Sequence, residues 1–181
     1  MDQCSYIALL RGINVGRAKR VAMADLRALV AALGYADVRT LLNSGNVVFR
    51  GPPGRAGAAA TAIEEALVRT LGVAARVHVI DSAELAVVMA DNALLAVATD
   101  LSRLIVFLLA PAEARAALEA LAGTDWAPEQ LALGRRAAYV WCPTGVLDSR
   151  AAAALGKLLG ERTTARNWNT LGKLAALCEQ A

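Results

Sequence analysis

Apolar and polar positions change their period repeatedly along this chain, and each change marks a boundary between elements. Residues 5–10 form an apolar run that opens at Ser5 and reads as a strand. Gly12 and Gly16 interrupt it, and then Met23, Leu26, Leu29, Val30 and Leu33 recur at helical spacing until Gly34. Residues 38–42 and 47–50 read as two strands joined by Asn43, Ser44, Gly45 and Asn46, a turn-rich tetrad of the kind that closes hairpins. A second helical stretch, 58–71, stops at Gly72, and residues 73–80 alternate as a strand. The first 80 residues therefore predict βαββαβ, the split pattern of a ferredoxin-like unit.

A helical connector over 82–92 follows, and then the order repeats. Residues 104–110 predict a strand, and residues 111–121 a helix with Pro111 in its first turn. Strands at 130–133 and 138–142 flank Gly134, Arg135 and Arg136. A helix over 149–159, a strand-like run over 163–168 and a closing helix over 171–178 complete the chain. The predicted class is α+β, a tandem duplication of two ferredoxin-like units with an added C-terminal helix. The expected division is 1–80 for the first unit, 81–102 for the connector and 103–181 for the second unit with its extra helix. The duplication is inferred from element order, since the halves share no residue-level identity.

Composition narrows the classes. Of 181 residues 57% are hydrophobic and 19% charged, enough to bury a core and too apolar for a disordered chain. Forty-one alanines blur the helix boundaries. No apolar stretch approaches the length of a spanning helix, and the first residues lack the basic start and cleavage site of a signal peptide, so the expected address is cytoplasmic, without a membrane partner. Cys4, Cys142 and Cys178 are too few and too widely spaced for a disulfide framework or a zinc site, and read as buried or incidental thiols. A formal charge of +3 is too small to make the whole molecule a polyanion binder, which leaves a local basic patch.

Such a patch stands in the first loop. Arg11, Arg17, Lys19 and Arg20 place four cations among Gly12, Asn14 and Gly16, with no carboxylate from Arg11 to Arg20. In a βαββαβ unit the end of the first strand lies at the sheet edge where the hairpin between strands two and three turns, so this loop should meet Ser44, Gly45 and Asn46. Cations beside a helix N-terminus favour an anion such as phosphate, although neither the P-loop nor the dinucleotide glycine spacing is present. The bland alternative is a solvated basic loop with turn glycines. A second cluster, Arg166, Asn167, Trp168 and Asn169, precedes the last helix. Alternation there puts Thr164, Arg166 and Trp168 on one face, where guanidinium and indole could stack or sandwich a base. Equally, Trp168 may be read as core, with Thr170 or Asn169 capping the helix and Asn167 satisfying the turn.

Catalytic signals are scarce. His78 is the only histidine and faces outward if Val77 and Val79 face inward. No nucleophile elbow accompanies it, the carboxylates are scattered, and no metal site or cofactor is indicated. The favoured reading is a module that binds a phosphate-bearing ligand, a nucleotide or nucleic acid. Sequence-specific reading of RNA by stacked bases is disfavoured by an aromatic content of 4%. The alternatives are a small-molecule enzyme using Ser44 or Arg166, and a structural module for protein–protein contacts.

Three strings, LRGINVG at 10–16, SGNVVF at 44–49 and TTARNWNT at 163–170, resemble an uncharacterised bacterial family of unknown function, and the likeness runs from Tyr6 nearly to the end. The resemblance implies tandem ferredoxin-like units and supplies no reaction. It marks Arg11, Gly12, Asn14, Gly16, Ser44, Gly45, Asn46, Arg166, Asn167, Trp168, Asn169 and Thr170. The chain departs from the family pattern at Arg17, Ala22 and Arg150, where glycine, proline and lysine are usual.

Overall fold

Strand β1 (Cys4–Leu10) is the centre of the first sheet, and its apolar residues are why: every position from Tyr6 to Leu10 is buried, which only an interior strand with both faces covered can satisfy. The computed structural model describes residues 3–14, 20–109 and 115–180. They divide into two units, Met1–Leu85 with Leu174–Ala181, and Ala86–Lys173.

In the first unit β1 is followed by α1 (Met23–Ala32), β2 (Ala36–Leu41), β3 (Asn46–Gly51), α2 (Ala56–Leu71) and β4 (Val77–Asp81). The sheet order is β2-β3-β1-β4, antiparallel throughout. Alternation along each strand sends Tyr6, Ala8, Leu10, Val47, Phe49 and Val77 toward the two helices, which answer with Leu26, Leu29, Val30, Ala59, Ile63 and Leu67. Each such Leu or Ile side chain, fully buried, contributes roughly 1.5–3 kcal/mol. Val79 packs against this cluster from the same face of β4, so His78 points to the other face, where it is half-buried. The end of α6, introduced below, also counts with this unit, and Arg39 on β2 donates to the Gln180 carbonyl at 3.2 Å.

The second unit follows α3 (Ser82–Ala90) with β5 (Leu104–Leu108), α4 (Arg115–Ala122), β6 (Gln130–Leu133), β7 (Ala137–Trp141), α5 (Arg150–Leu159), β8 (Ala165–Asn167) and α6 (Trp168–Glu179). Its order, β6-β7-β5-β8, repeats the first with every partner in the same place. The fold is α+β, two ferredoxin-like units in tandem with an added C-terminal helix. The repetition reaches single hydrogen bonds. Leu10 N–H donates to the Gly45 carbonyl at 2.8 Å, and Leu109 N–H to the Arg136 carbonyl at 2.9 Å, each tying the end of a central strand to its hairpin. Gly134 lets that second hairpin close on α3, since a Cβ there would lie 2.8 Å from Asp91 Cβ and 3.0 Å from the Tyr139 ring.

Three boundaries depart from the expected ones for local reasons. Residues 73–76 do not join β4, because the turn closing α2 takes the Val73 N–H for the Leu67 carbonyl, with Gly72 at φ 66°. The closing helix begins at Trp168 rather than at residue 171, because Asn167 caps it. The helix expected over 111–121 is described only from Arg115, and Pro111 lies outside the described residues.

Among the described residues of the second unit, Glu129 is the buried carboxylate. It stands just before β6 and reaches the N-terminus of α5, where it accepts from the Ser149 hydroxyl, from Arg150 N–H at 3.0 Å and from Ala151 N–H at 3.1 Å. Ser149 in turn caps the helix by accepting from Ala152 N–H at 3.0 Å. Burial alone would push the Glu129 carboxyl up, but these donors and the Arg150 charge together outweigh it and hold the group below its ordinary value. A carboxyl lowered in the folded state stabilises fully above the ordinary glutamate value of about 4.3 and loses that contribution as pH falls through the folded value. Glu129→Gln should therefore cost about 2–4 kcal/mol near neutral pH, and the gap to wild type should narrow below about pH 4. Urea unfolding of both proteins across that range checks it, and a gap independent of pH would contradict the assigned role.

Candidate functional site

The basic loop and the first hairpin meet, as strand direction requires. From Leu10 the chain turns through Gly12 (φ 67°) and Asn14 (φ 56°), while the hairpin turns through Leu42 (φ 57°) and Gly45 (φ 74°). Gly45 is needed there twice over. Its φ is left-handed, and a Cβ would lie 2.7 Å from both Ile13 Cδ1 and Leu10 Cβ. The loop therefore packs directly on the hairpin backbone.

Asn14 fastens the two together. Its Nδ2 donates to the Val21 carbonyl at 2.8 Å and to the Asn43 carbonyl at 2.8 Å, and its Oδ1 accepts from the Val21 N–H at 2.9 Å. One side chain thus closes the base of the segment that carries Arg17, Lys19 and Arg20, and pins that base to the hairpin. Asn46, fully buried, performs the matching task inside the hairpin: its Nδ2 donates to the Leu41 carbonyl at 3.0 Å and to Ser44 Oγ at 2.9 Å. Both amides belong to the candidate site by sequence. Their donors are committed to the protein, so Asn14 and Asn46 shape the site. Ser44 is exposed at the tip, and the amide that reaches it is a donor, which cannot serve as a base to activate its hydroxyl.

The cations arrive from three segments. Arg11 leaves β1 half-buried, and Arg20 is exposed just before α1. Gly16, Arg17 and Lys19 lie outside the described residues. Arg76 is the residue sequence reasoning missed. The Arg11 N–H donates to the Arg76 carbonyl at 2.8 Å, so the segment entering β4 runs beside the loop, and the Arg76 side chain is 61% exposed with Glu64 at 3.3 Å. Only pairing of β1 with β4 brings it there, and no spacing in the sequence encodes that. Ala22, at the N-cap position of α1, supplies no capping side chain, and Asp25 stands in the first turn.

The second cluster is built differently. Asn167 Oδ1 accepts from the Thr170 N–H at 2.9 Å and from the Thr170 hydroxyl at 2.7 Å, which caps α6. Trp168 is consequently in the first turn of the helix and buried, so strand alternation ends at Asn167 and the expected face shared by Arg166 and Trp168 does not form. Asn169 is exposed. Arg166, half-buried on β8, donates from Nη1 to Thr164 Oγ1 at 3.1 Å and to the Ala165 carbonyl at 2.8 Å, and burial brings its guanidinium down to about 10, so it stays charged at neutral pH. Among the described residues no three His, Cys, Asp or Glu side chains gather as metal ligands, and no helix is long and apolar enough to cross a membrane.

Comparison with known proteins gives a consistent picture of the fold. A family model described as "Protein of unknown function (DUF1697)" matches residues 4–139. Among solved structures the chain is similar to the conserved bacterial protein SP0830 from Streptococcus pneumoniae, with a TM-score of 0.76 and 20% identity over 98% of this chain and 99% of that one. None of the curated proteins matches.

The clamp is open to a direct test. Asn14→Ala removes three hydrogen bonds, strands the buried Val21 N–H and leaves a β-carbon at positive φ, and should cost about 2–4 kcal/mol, a fall in Tm of roughly 5–15 °C. Thermal unfolding measures it, and a change within ~0.5 kcal/mol would show that the loop is held by other contacts.

Proposed function

The chain belongs to the DUF1697 family of proteins of unknown function, and from that premise we propose that it binds a phosphate-bearing ligand, a nucleotide or nucleic acid, at the edge formed by the first loop and the first hairpin. The observation that carries this reading is the convergence of Arg11, Arg20 and Arg76 on one edge of the first sheet, through the Arg11–Arg76 backbone bond and the Asn14 clamp. Arg17 and Lys19 belong to the segment bracketed by Asn14 and Val21, and no acidic residue occurs between Arg11 and Ala24. Glu64 offsets one of these charges, on Arg76. A local excess of cations on a molecule with a formal charge of only +3 attracts an anion to that edge. The committed Asn14 amide supports the reading as well, since it fixes Asn14 and Val21, on either side of the segment that carries Arg17, Lys19 and Arg20, beside the hairpin.

The test compares wild type with Arg17→Ala/Lys19→Ala/Arg20→Ala against nucleotides and short DNA and RNA at several salt concentrations. Wild type should bind at low salt and weaken steeply as salt rises. The triple variant, which keeps Asn14, Val21 and Asn43 and whose fold is checked by circular dichroism, should lose about tenfold or more in affinity, each cation removed from a phosphate being worth about 0.5–1 kcal/mol. Wild type that binds none of these ligands at low salt, or a triple variant with unchanged affinity, would refute the proposal.

A further inference from the structure

We infer that a groove between α1 and α2, separate from the loop and hairpin edge, binds a small zwitterion with an apolar side group, the chemistry of an apolar α-amino acid. Strands β1 and β3 run antiparallel and each is followed by its helix, so α1 and α2 also run in opposite directions. The first turn of α1 and the last turn of α2 therefore share one end of the groove between them, which has a volume of about 370 Å³. Sites that hold small molecules begin at about this size. The floor is apolar: Leu29 and Ala66 are buried in it, and Leu33 is half-buried beside them. Ala28 and Ala32 on the wall of α1 are short enough to leave that floor open.

Charges of both signs stand over that floor. Asp25 in the first turn of α1 and Arg69 in the last turn of α2 line the same groove from opposite helices. They do not pair with each other, and among the described residues neither side chain makes a hydrogen bond or an ion pair, nor does that of Thr70 beside Arg69. Helix polarity accounts for the sign of each charge, but not for their meeting, unpaired, in one cavity. A ligand with an ammonium and a carboxylate answers both. The ammonium meets Asp25, and the carboxylate takes the planar guanidinium of Arg69 as a forked partner, with the Thr70 hydroxyl as a further donor. A simple anion in the same place would face Asp25, and a simple cation would face Arg69. The side group of the ligand then lies along Leu29, Leu33 and Ala66, which removes it from water. Because Asp25 and Arg69 are exposed, each ion pair is weak, and the expected dissociation constant is on the order of 1 mM.

Two-dimensional amide NMR of the full chain, titrated with L-leucine to about 20 mM, tests this. The amides of residues 25–33 and 66–71 should shift along one saturable curve. Glycine, without a side group to bury, should bind about tenfold more weakly. N-acetyl-leucine, which lacks the ammonium, and leucinamide, which lacks the carboxylate, should each bind about threefold or more weakly. Two variants at exposed positions then assign the charges. Asp25→Asn should weaken L-leucine by about threefold or more and leave N-acetyl-leucine no weaker. Arg69→Gln should weaken L-leucine by a similar factor and leave leucinamide no weaker. A change that only disturbed the packing of the helices would weaken every ligand alike, so that outcome overturns the inference. It is also overturned if no saturable shift occurs in those residues at the highest concentration, if the shifts fall elsewhere, or if pyrophosphate moves the same amides and L-leucine does not.

Discussion

The central position of β1, paired antiparallel to β3 on one side and β4 on the other, is the constraint from which the rest of the first unit follows. A strand in that position must be apolar on both faces, which the run from Tyr6 to Leu10 supplies. Its C-terminal end must also lie beside the β2–β3 turn and beside the segment entering β4. Two backbone bonds record this, Leu10 to Gly45 and Arg11 to Arg76. Residues more than thirty and sixty positions away in the chain are therefore neighbours of the first loop before any side chain is considered. The side chains then exploit the arrangement: Asn14 crosses to Asn43, and Ile13 fills the space that Gly45 leaves.

Why the sequence disclosed some of this and withheld the rest has a physical basis. Elements set by local period were legible. α1 is spelled by Leu26, Leu29 and Val30, and the hairpin by Asn43 to Asn46, because those signals involve residues within one turn of each other. The meeting of loop and hairpin was legible too, since strand direction alone demands it. Boundaries that depend on competition for one hydrogen bond were not. Val73 looks like the start of a strand until the Leu67 carbonyl claims its N–H, and Trp168 looks like the end of one until Asn167 caps the helix. Asn14 was legible as a polar member of the basic loop and Asn46 as a turn residue, while their specific task, to satisfy main-chain groups that tertiary pairing creates, was not. Arg76 carried no signal, because nothing near it in sequence distinguishes it from any solvated arginine.

Asparagine at these positions also explains why a strongly polar motif need not be a binding motif. A buried backbone N–H or C=O left unpaired costs about 1–3 kcal/mol, and irregular loops have no ladder to satisfy theirs. One amide can accept from one main-chain group and donate to two others, which no shorter or charged side chain does. Asn14 uses this full capacity, and it tolerates the left-handed φ of 56° that the turn imposes. Asn167 applies the same chemistry at a helix start. The polar residues Asn14, Asn46 and Asn167 are thus the means by which this chain closes its loops and caps its last helix.

The comparison between the two units isolates what is particular to the first. Both sheets have the same order, and both central strands are tied to their hairpins by equivalent bonds. In the second hairpin, however, one of the two arginines is neutralised within the unit. Arg135 forms a forked pair with Asp91, with Nε and Nη2 each at 2.9 Å and its backbone N–H also at 2.9 Å, and these bonds draw the Asp91 carboxyl down to about 2. The buried carboxylate Glu129 fills the N-terminus of α5 in the same unit. Its counterpart in the first unit, α2, begins at Arg55, whose N–H is met by the Tyr6 hydroxyl at 3.1 Å. The second unit thus supplies its own anions to its hairpin and to this helix end, whereas the loop and hairpin edge of the first gathers cations with Glu64 as its ion-pair partner on Arg76. The two units share one scaffold, and the placement of carboxylates distinguishes them: Asp91 and Glu129 serve the hairpin and a helix start in the second, and Glu64 serves the segment entering β4 in the first.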